Sequence, residues 1–523
     1  MGIKDMKIKP TQFALATCTR EATMAGSDII AAGGNAIDVL VGVALELTVS
    51  AIMMTSLCGG GFAIIRTPDG KVEFLDFFDA VPGKGIDIKE YRKNNIPEKV
   101  HLNYGLGYDV MVGPKTVSVP GVAKGLETLN KKYGTMPIKD LIQPAIEHAR
   151  KGTKFNRNLC DFFNVSANEI HWKTDYARKI FSNPDGSMPD IDTIIKQTDL
   201  ANTLEYIADN GLDSIYTGDI ADQLVKEISD GGGILTHEDL RTYEPTWRKP
   251  LHTIYKGKHI WTNPPPSVGG ATMIEILKIL SHHKTKETIS PVDVAVIGKA
   301  QRQALFHKYN KYLDPNTNEE VAKELLSDKN ILESYKKIQP PAHTTHVSYV
   351  DDAGYAVGLT MSMGYGSGVS IPGTGIFLTN SLGEMDLNPR GYLKARSGEK
   401  LISGMTPSIM YDPLNDDLVS IGSAGSARIP TSIAHVIMNM CDYNMNLYKA
   451  IKAPRCHYED NKFAIESGID VDESLLDQNT EICRFETLER FFGGTNVARA
   501  TKGELLQASN DPRRSGAAQV ITI

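Results

Sequence analysis

An α+β fold is the class this sequence predicts, and three observations predict it. Alternating apolar runs bounded by turn residues mark strands near both ends of the 523-residue chain. The middle, about 120–335, carries mostly helical spacing of apolar residues. No internal repeat and no low-complexity linker divides the chain, so one compact unit is favoured even though the length alone suggests two or more domains.

The elements follow in order. Glu21 to Ala32 reads as a short amphipathic helix ending at Gly33-Gly34. Asn35 then precedes a long apolar helix over 36–54. Asp38 and Glu46 interrupt that run, and charges inside a membrane span are costly, so a buried helix is expected. A glycine-rich turn leads into a strand at 58–66, and PDG at 68–70 turns it into a second strand at 72–78. Residues 119–152 carry helical spacing with Gly and Pro at the ends, and PPPSVGG at 264–270 is a stiff turn before a helix to 280. From 344 the pattern changes to strands at 344–351, 355–362, 375–380, 407–411 and 418–422. Helices are expected near 428–443 and 446–452, and a last strand at 517–523. The first of these strands opens on HTTH, and local propensity alone reads its threonines as ordinary strand residues.

Composition removes several function classes. Net charge is −7 and Lys and Arg are scattered, so the basic footprint of a nucleic-acid partner is missing. The N-terminus lacks the order of a secretory signal, and a cytoplasmic protein without a membrane partner is expected. The six cysteines form no CxxC and are read as reduced, mostly buried thiols. The thirteen histidines include no HExxH, and no metal or cofactor is expected. GxxxxGK[ST], GxGxxG and GxSxG are all missing, which removes the P-loop, dinucleotide and serine-elbow readings. IGSAGSARIP at 421–430 passes from a strand through small residues into a helix. Backbone N–H groups at such a junction can hold an oxyanion, although close packing accounts for small residues equally well.

Several separated stretches, in order and nearly end to end, resemble the γ-glutamyltransferase family of N-terminal-nucleophile hydrolases. They are GGNAIDVLVGVAL at 33–45, CGGGFAII at 58–65, VPGVAKGL at 119–126, YGTMPIKDLIQPAIEHARKG at 133–152, PPPSVGG at 264–270, TTHVSYVDDAGYAV at 344–357, GSAGSARIP at 422–430, APRCH at 453–457 and SNDPRRSGAA at 509–518. The resemblance implies a four-layer αββα sandwich. It implies a precursor that cuts itself between His343 and Thr344, leaving a large subunit 1–343 and a small subunit 344–523 that together form one domain. It assigns Thr344 as nucleophile, Thr345 and Ser362 as residues that position it, and Gly425 and Ser426 as backbone donors to the oxyanion. Ser362 stands where the family usually has threonine, and Ser426 where it commonly has glycine.

The implied pocket for a glutamyl group is only partly kept. Phe78 stands where a family arginine grips the substrate α-carboxylate, which removes a charge-assisted pair. Gly364 replaces an asparagine, Ser381 a Gln or Glu, and Gly404 the second of two serines. Glu384 remains as the acidic partner of the α-amine, together with Ser403. The segment 384–403 is short beside the family's lid loop, which favours hydrolysis over transfer, and Arg390, Lys394, Arg396 or Lys400 on it could restore positive charge. The expected activity is therefore an autoprocessing N-terminal-threonine amidohydrolase cleaving γ-glutamyl amides such as glutathione. A family member acting on an oxamate-like or acyl side-chain amide is the alternative, and a non-catalytic scaffold is a rival of another class.

Overall fold

The computed structural model describes residues 10–103, 107–327, 330, 344–425, 427–459 and 461–523. Helix and strand are mixed as expected, and two antiparallel sheets dominate. The first has seven strands in the order Ala517–Thr522, Gln12–Thr17, Thr345–Asp351, Ala356–Ser362, Gly60–Arg66, Val72–Phe77, Thr246–Arg248. The second has six, in the order Gln507–Ser509, Gly494–Thr501, Asp417–Ala424, Ser408–Asp412, Lys258–Thr262, Leu251–Tyr255. The strand that follows Thr344 is thus a central one, hydrogen-bonded on both sides.

Strand alternation sorts the side chains of the first sheet. Leu15, Val347, Tyr349, Leu359 and Phe77 face the helix Ala36–Ser50, every residue of which is buried. Ala14, Phe62, Ile64, Phe74 and Val350 join Val419, Ile421 and Val497 of the second sheet in one core. Hydroxyls tie the two sheets: Ser420 donates to the Val357 carbonyl at 2.8 Å and Ser348 to the Asn496 carbonyl at 3.0 Å. Helices Gly269–Ser281 and Arg428–Cys441 pack against that same core through Met273, Ile276, Ile433 and Ile437.

The charges that argued against a membrane span have local partners. Asp38 closes a capping box with Asn35 and accepts the Thr135 and Met136 amides at 2.9 and 3.1 Å. Glu46 lies 3.1 Å from His148. Among the described residues, no helix is long and apolar enough to cross a membrane.

Three element readings are corrected. The helix expected over 36–54 ends at Ser50, and 51–54 is a turn. The strand expected at 375–380 is irregular backbone that makes only isolated bridges, because Gly375 takes φ +74° and Thr379 turns the chain through its own hydroxyl. The helical middle contains the strands Thr246–Arg248, Leu251–Tyr255 and Lys258–Thr262.

Candidate active site

Pairing of Thr345 with Met361 continues by one step to set Thr344 beside Ser362. Thr344 is 3% exposed. Phe78, Thr344, Ser362, Gly364, Ser381, Glu384, Ser403 and Gly404 all line one narrow cleft. They arrive from widely separated parts of the sequence, and the structure brings them together.

Each wall has a local cause. CGGGF lets three backbones crowd: a Cβ on Gly59 would collide with the Ser362 carbonyl, and one on Gly61 with Phe77. The Gly59 carbonyl accepts the Gly121 and Val122 amides at 2.8 and 2.9 Å, which is the role of VPGV. The proline turn grips the far wall. Ser267 Oγ donates to the Ser403 carbonyl at 2.8 Å, and the Val268 and Gly269 amides donate to it at 2.9 and 3.2 Å. Ser403 Oγ in turn accepts the Met405 amide at 3.2 Å.

Glu384 is fully buried. Its Oε1 accepts the Tyr365 amide at 3.2 Å, while its Oε2 has no partner among the described residues. Burial first, and then the nearby Asp386, pushes its carboxyl well above the ordinary range. Gly364 makes room for it, since a Cβ there would collide with Glu384 Oε1 and Asn380 Oδ1. The asparagine missing at 364 therefore has a counterpart in Asn380, which accepts the Tyr365 amide at 2.9 Å. Ser362 Oγ accepts the Gly364 amide at 2.9 Å.

Ser381 donates to the buried Asp79 at 2.5 Å and shares a 2.7 Å hydrogen bond with Thr379. Burial pushes the Asp79 carboxyl up to about 6, against the pull of Ser381, Ser118, Thr379 and Lys400. Phe78 turns its ring into an aromatic stack, 5.3 Å from Phe62, so that wall of the cleft is apolar.

Thr345 does not reach the cleft. Successive strand residues point to opposite faces, and its hydroxyl lies 2.6 Å from Cys18 Sγ on the helix side. Gly425 is not part of the cleft lining either. It sits at φ +120° between the strand Asp417–Ala424 and the helix Arg428–Cys441, whose Ile429 does line the cleft. His343 and Ser426 lie outside the described residues.

The loop cations are a second correction. Arg390 is captured by Glu399, Lys394 and Arg396 are exposed, and Lys400 donates from outside to the Phe78 carbonyl at 2.8 Å and the Tyr243 hydroxyl at 2.6 Å. The cation that lines the cleft is Lys308, near the end of the helix Pro291–Asn310, and Asp386 accompanies it. Sequence reasoning missed both. KYNKY offers no periodic or motif signal that separates one lysine from its neighbours.

One solved structure that matches over almost the whole molecule is a cephalosporin acylase from Bacillus halodurans. It has 25% identity and a TM-score of 0.85, and it covers 98% of this chain and 96% of that one. A Helicobacter pylori gamma-glutamyltranspeptidase structure is 28% identical with a TM-score of 0.54, covering 65% of this chain and 97% of its own. The gamma-glutamyltranspeptidase family model matches residues 22–521, and the chain belongs to that family. A glutathione hydrolase proenzyme of Escherichia coli (strain K12) is 30% identical over 97% of this chain and 91% of its own length. An acylase ACY 1 proenzyme of Pseudomonas sp. (strain SE83) is 28% identical over 91% of this chain and 88% of its own.

Proposed function

We propose that the chain is an autoprocessing N-terminal-threonine amidohydrolase that cleaves γ-glutamyl amides such as glutathione. The observation that carries this reading is the convergence of Thr344, Ser362, Ser381, Glu384 and Ser403 on one cleft. The two stacked sheets with helices against them support an αββα sandwich.

In this reading Thr344 Oγ first attacks the His343 carbonyl carbon. The peptide C–N bond breaks and frees the Thr344 amine as an ester to Oγ forms, and water hydrolyses that ester to a His343 carboxylate and the regenerated Thr344 hydroxyl. That gives subunits 1–343 and 344–523, which stay together because each sheet is built from strands of both, and Gln12–Thr17 is inserted between Ala517–Thr522 and Thr345–Asp351. The free α-amine, with a pKa near about 7.7–8.0, is the base a weak hydroxyl nucleophile needs. It takes the Thr344 proton as Oγ attacks the substrate amide, then gives it to the leaving amine. Water, deprotonated by the same amine, releases the acyl group as its acid. The Gly425 and Ser426 amides are the donors assigned to the oxyanion. Ser362 orients Thr344, while Thr345 contributes as a strand anchor. The short 384–403 segment favours water over an acceptor amine.

Glu384 is assigned to the substrate ammonium, because its buried Oε2 has hydrogen-bonding capacity left. Glu384→Gln is expected to raise KM for γ-glutamyl-p-nitroanilide by about tenfold or more, and to leave the amine-free glutaryl-p-nitroanilide much less affected. The wild-type preference for the γ-glutamyl compound should rise with pH as the Glu384 carboxyl, held above the ordinary range by burial, ionises. Equal losses on both compounds would remove the assignment.

The second reading is an amidase for a different acyl group, and Phe78 favours it. The similarity to acylases along the whole chain gives that reading weight. Release of p-nitroaniline from glutaryl or simple acyl amides, with none from the γ-glutamyl compound, would decide for it.

A further inference from the structure

Lys308 belongs to none of the stretches that carry the family resemblance, yet its side chain is buried in the wall of the cleft. Its Nζ donates to the Tyr309 hydroxyl at 2.8 Å, and that hydroxyl donates on to Asp386 at 3.4 Å. The nearest carboxylate oxygen, Asp386 Oδ2, is 3.9 Å from Nζ, which is ion-pair range but too long for a hydrogen bond. An ammonium has three donors, and a buried charge that does not use them is expensive. Burial indeed draws the Lys308 amine below its ordinary range, against the opposing pull of Asp386 and Glu459. The wall is therefore built around a cation that lacks a close anion.

Two further features fix what that anion is. The cleft opens beside Thr344, so whatever reaches Lys308 is held with the acyl group that Thr344 would accept. Glu384 lines the same space, and its Oε2 has no hydrogen-bond partner among the described residues, so the cleft wall holds one carboxyl with bonding capacity left and one cation with donors to give. That pair complements an acyl chain ending in a carboxylate, with or without an α-ammonium. Phe78, which stands where the resemblance places a family arginine, contributes only an apolar face.

We propose that Lys308 receives the carboxylate at the far end of the substrate's acyl chain, and so sets the preference for acidic acyl groups. This rests on the amidohydrolase reading of the cleft, and it replaces the loop cations in that role. A structural lysine, present only to neutralise Asp386, would lower affinity for charged and neutral ligands alike when removed.

The test is calorimetric titration of the full chain with glutarate and with glutaramide, its neutral isostere. The wild type should bind glutarate more tightly. Lys308→Met should weaken glutarate by about tenfold or more and shrink its advantage over glutaramide, while Lys308→Arg should keep most of it. The same ordering is expected in the ratio of kcat/KM for glutaryl- over butyryl-p-nitroanilide. A wild type that binds glutarate no better than glutaramide overturns the proposal, and so does an equal loss of both ligands in Lys308→Met. The wild-type comparison decides even if the methionine variant does not fold. A wild type that prefers glutarate but releases p-nitroaniline from no substrate would instead sink the amidohydrolase reading and leave the Lys308 assignment standing.

Discussion

Replacing Thr344 with alanine is expected to leave the chain as a single band on a denaturing gel, where the wild type runs as two fragments. Amide turnover should fall by about 10⁴-fold or more, the scale seen when a covalent nucleophile is removed from a hydrolase. Both losses have one cause. In the proposed mechanism the hydroxyl that breaks the peptide bond before residue 344 is the one that later attacks substrate, and the amine that serves as base exists only after the first cut. Thr344→Ser separates the steps, since it keeps a hydroxyl at the same atom and should process and turn over at a reduced rate. Little collateral damage is expected from removing a methyl and hydroxyl at the leading end of a strand already paired on both sides. A wild-type chain that never cleaves would remove the mechanism, and so would an alanine variant that cleaves normally.

The site was legible where function is written into consecutive residues. TTH before a strand, CGGGF, PPPSVGG and GSAGS each need small or special residues in a fixed order, so they can be recognised without coordinates. Their partners were less so. Asn380 stands in for the side chain lost at 364, but only the fold shows that the turn at Thr379 brings its amide against Gly364. Lys308 reaches the cleft because one helix passes behind it, and nothing in its own neighbourhood distinguishes it from the other lysines of that helix. Thr345 illustrates the opposite failure. The resemblance assigns it the task of positioning Thr344, whereas the two-residue period of a strand turns its hydroxyl to the far face. Strands such as Leu251–Tyr255 were missed because Ile254 is exposed and Thr253 buried there, so polarity does not track the alternation of the strand.

The late motifs APRCH and SNDPRRSG resolve into a buried ionic network, and breaking it carries the largest expected stability loss. Arg513 donates from Nε to Glu466 Oε1 at 2.7 Å and from Nη2 to Oε2 at 2.5 Å, a bidentate pair with neither side chain exposed. Arg513 also reaches Asp511 at 3.2 Å, and Arg455 donates to the other Asp511 oxygen at 2.6 Å. Burial alone would raise the Asp511 carboxyl, but the two arginines hold it below the usual carboxylate range. A depressed carboxyl contributes stability above its unfolded pKa, so this share is lost only in strong acid, as pH falls through the folded value. Asp511 also accepts the Thr495 amide at 2.9 Å and so fixes the start of the strand Gly494–Thr501, where Gly493 backs Gly425. Arg513→Met leaves the Glu466 carboxyl buried, facing a thioether and without its guanidinium partner, a change expected to cost about 3–5 kcal/mol. Its midpoint in denaturant should drop, and self-cleavage should slow as the Gly425 turn loosens. Adding Glu466→Gln removes the stranded charge at the loss of one acceptor, since the single Gln oxygen can take only one of the Arg455 and Glu489 amides, which donate to the two Glu466 oxygens at 2.8 and 3.0 Å. The double variant should therefore be more stable than Arg513→Met alone. Additive losses in the two would mean that Arg513 acts through its packing and backbone hydrogen bonds rather than through its charge.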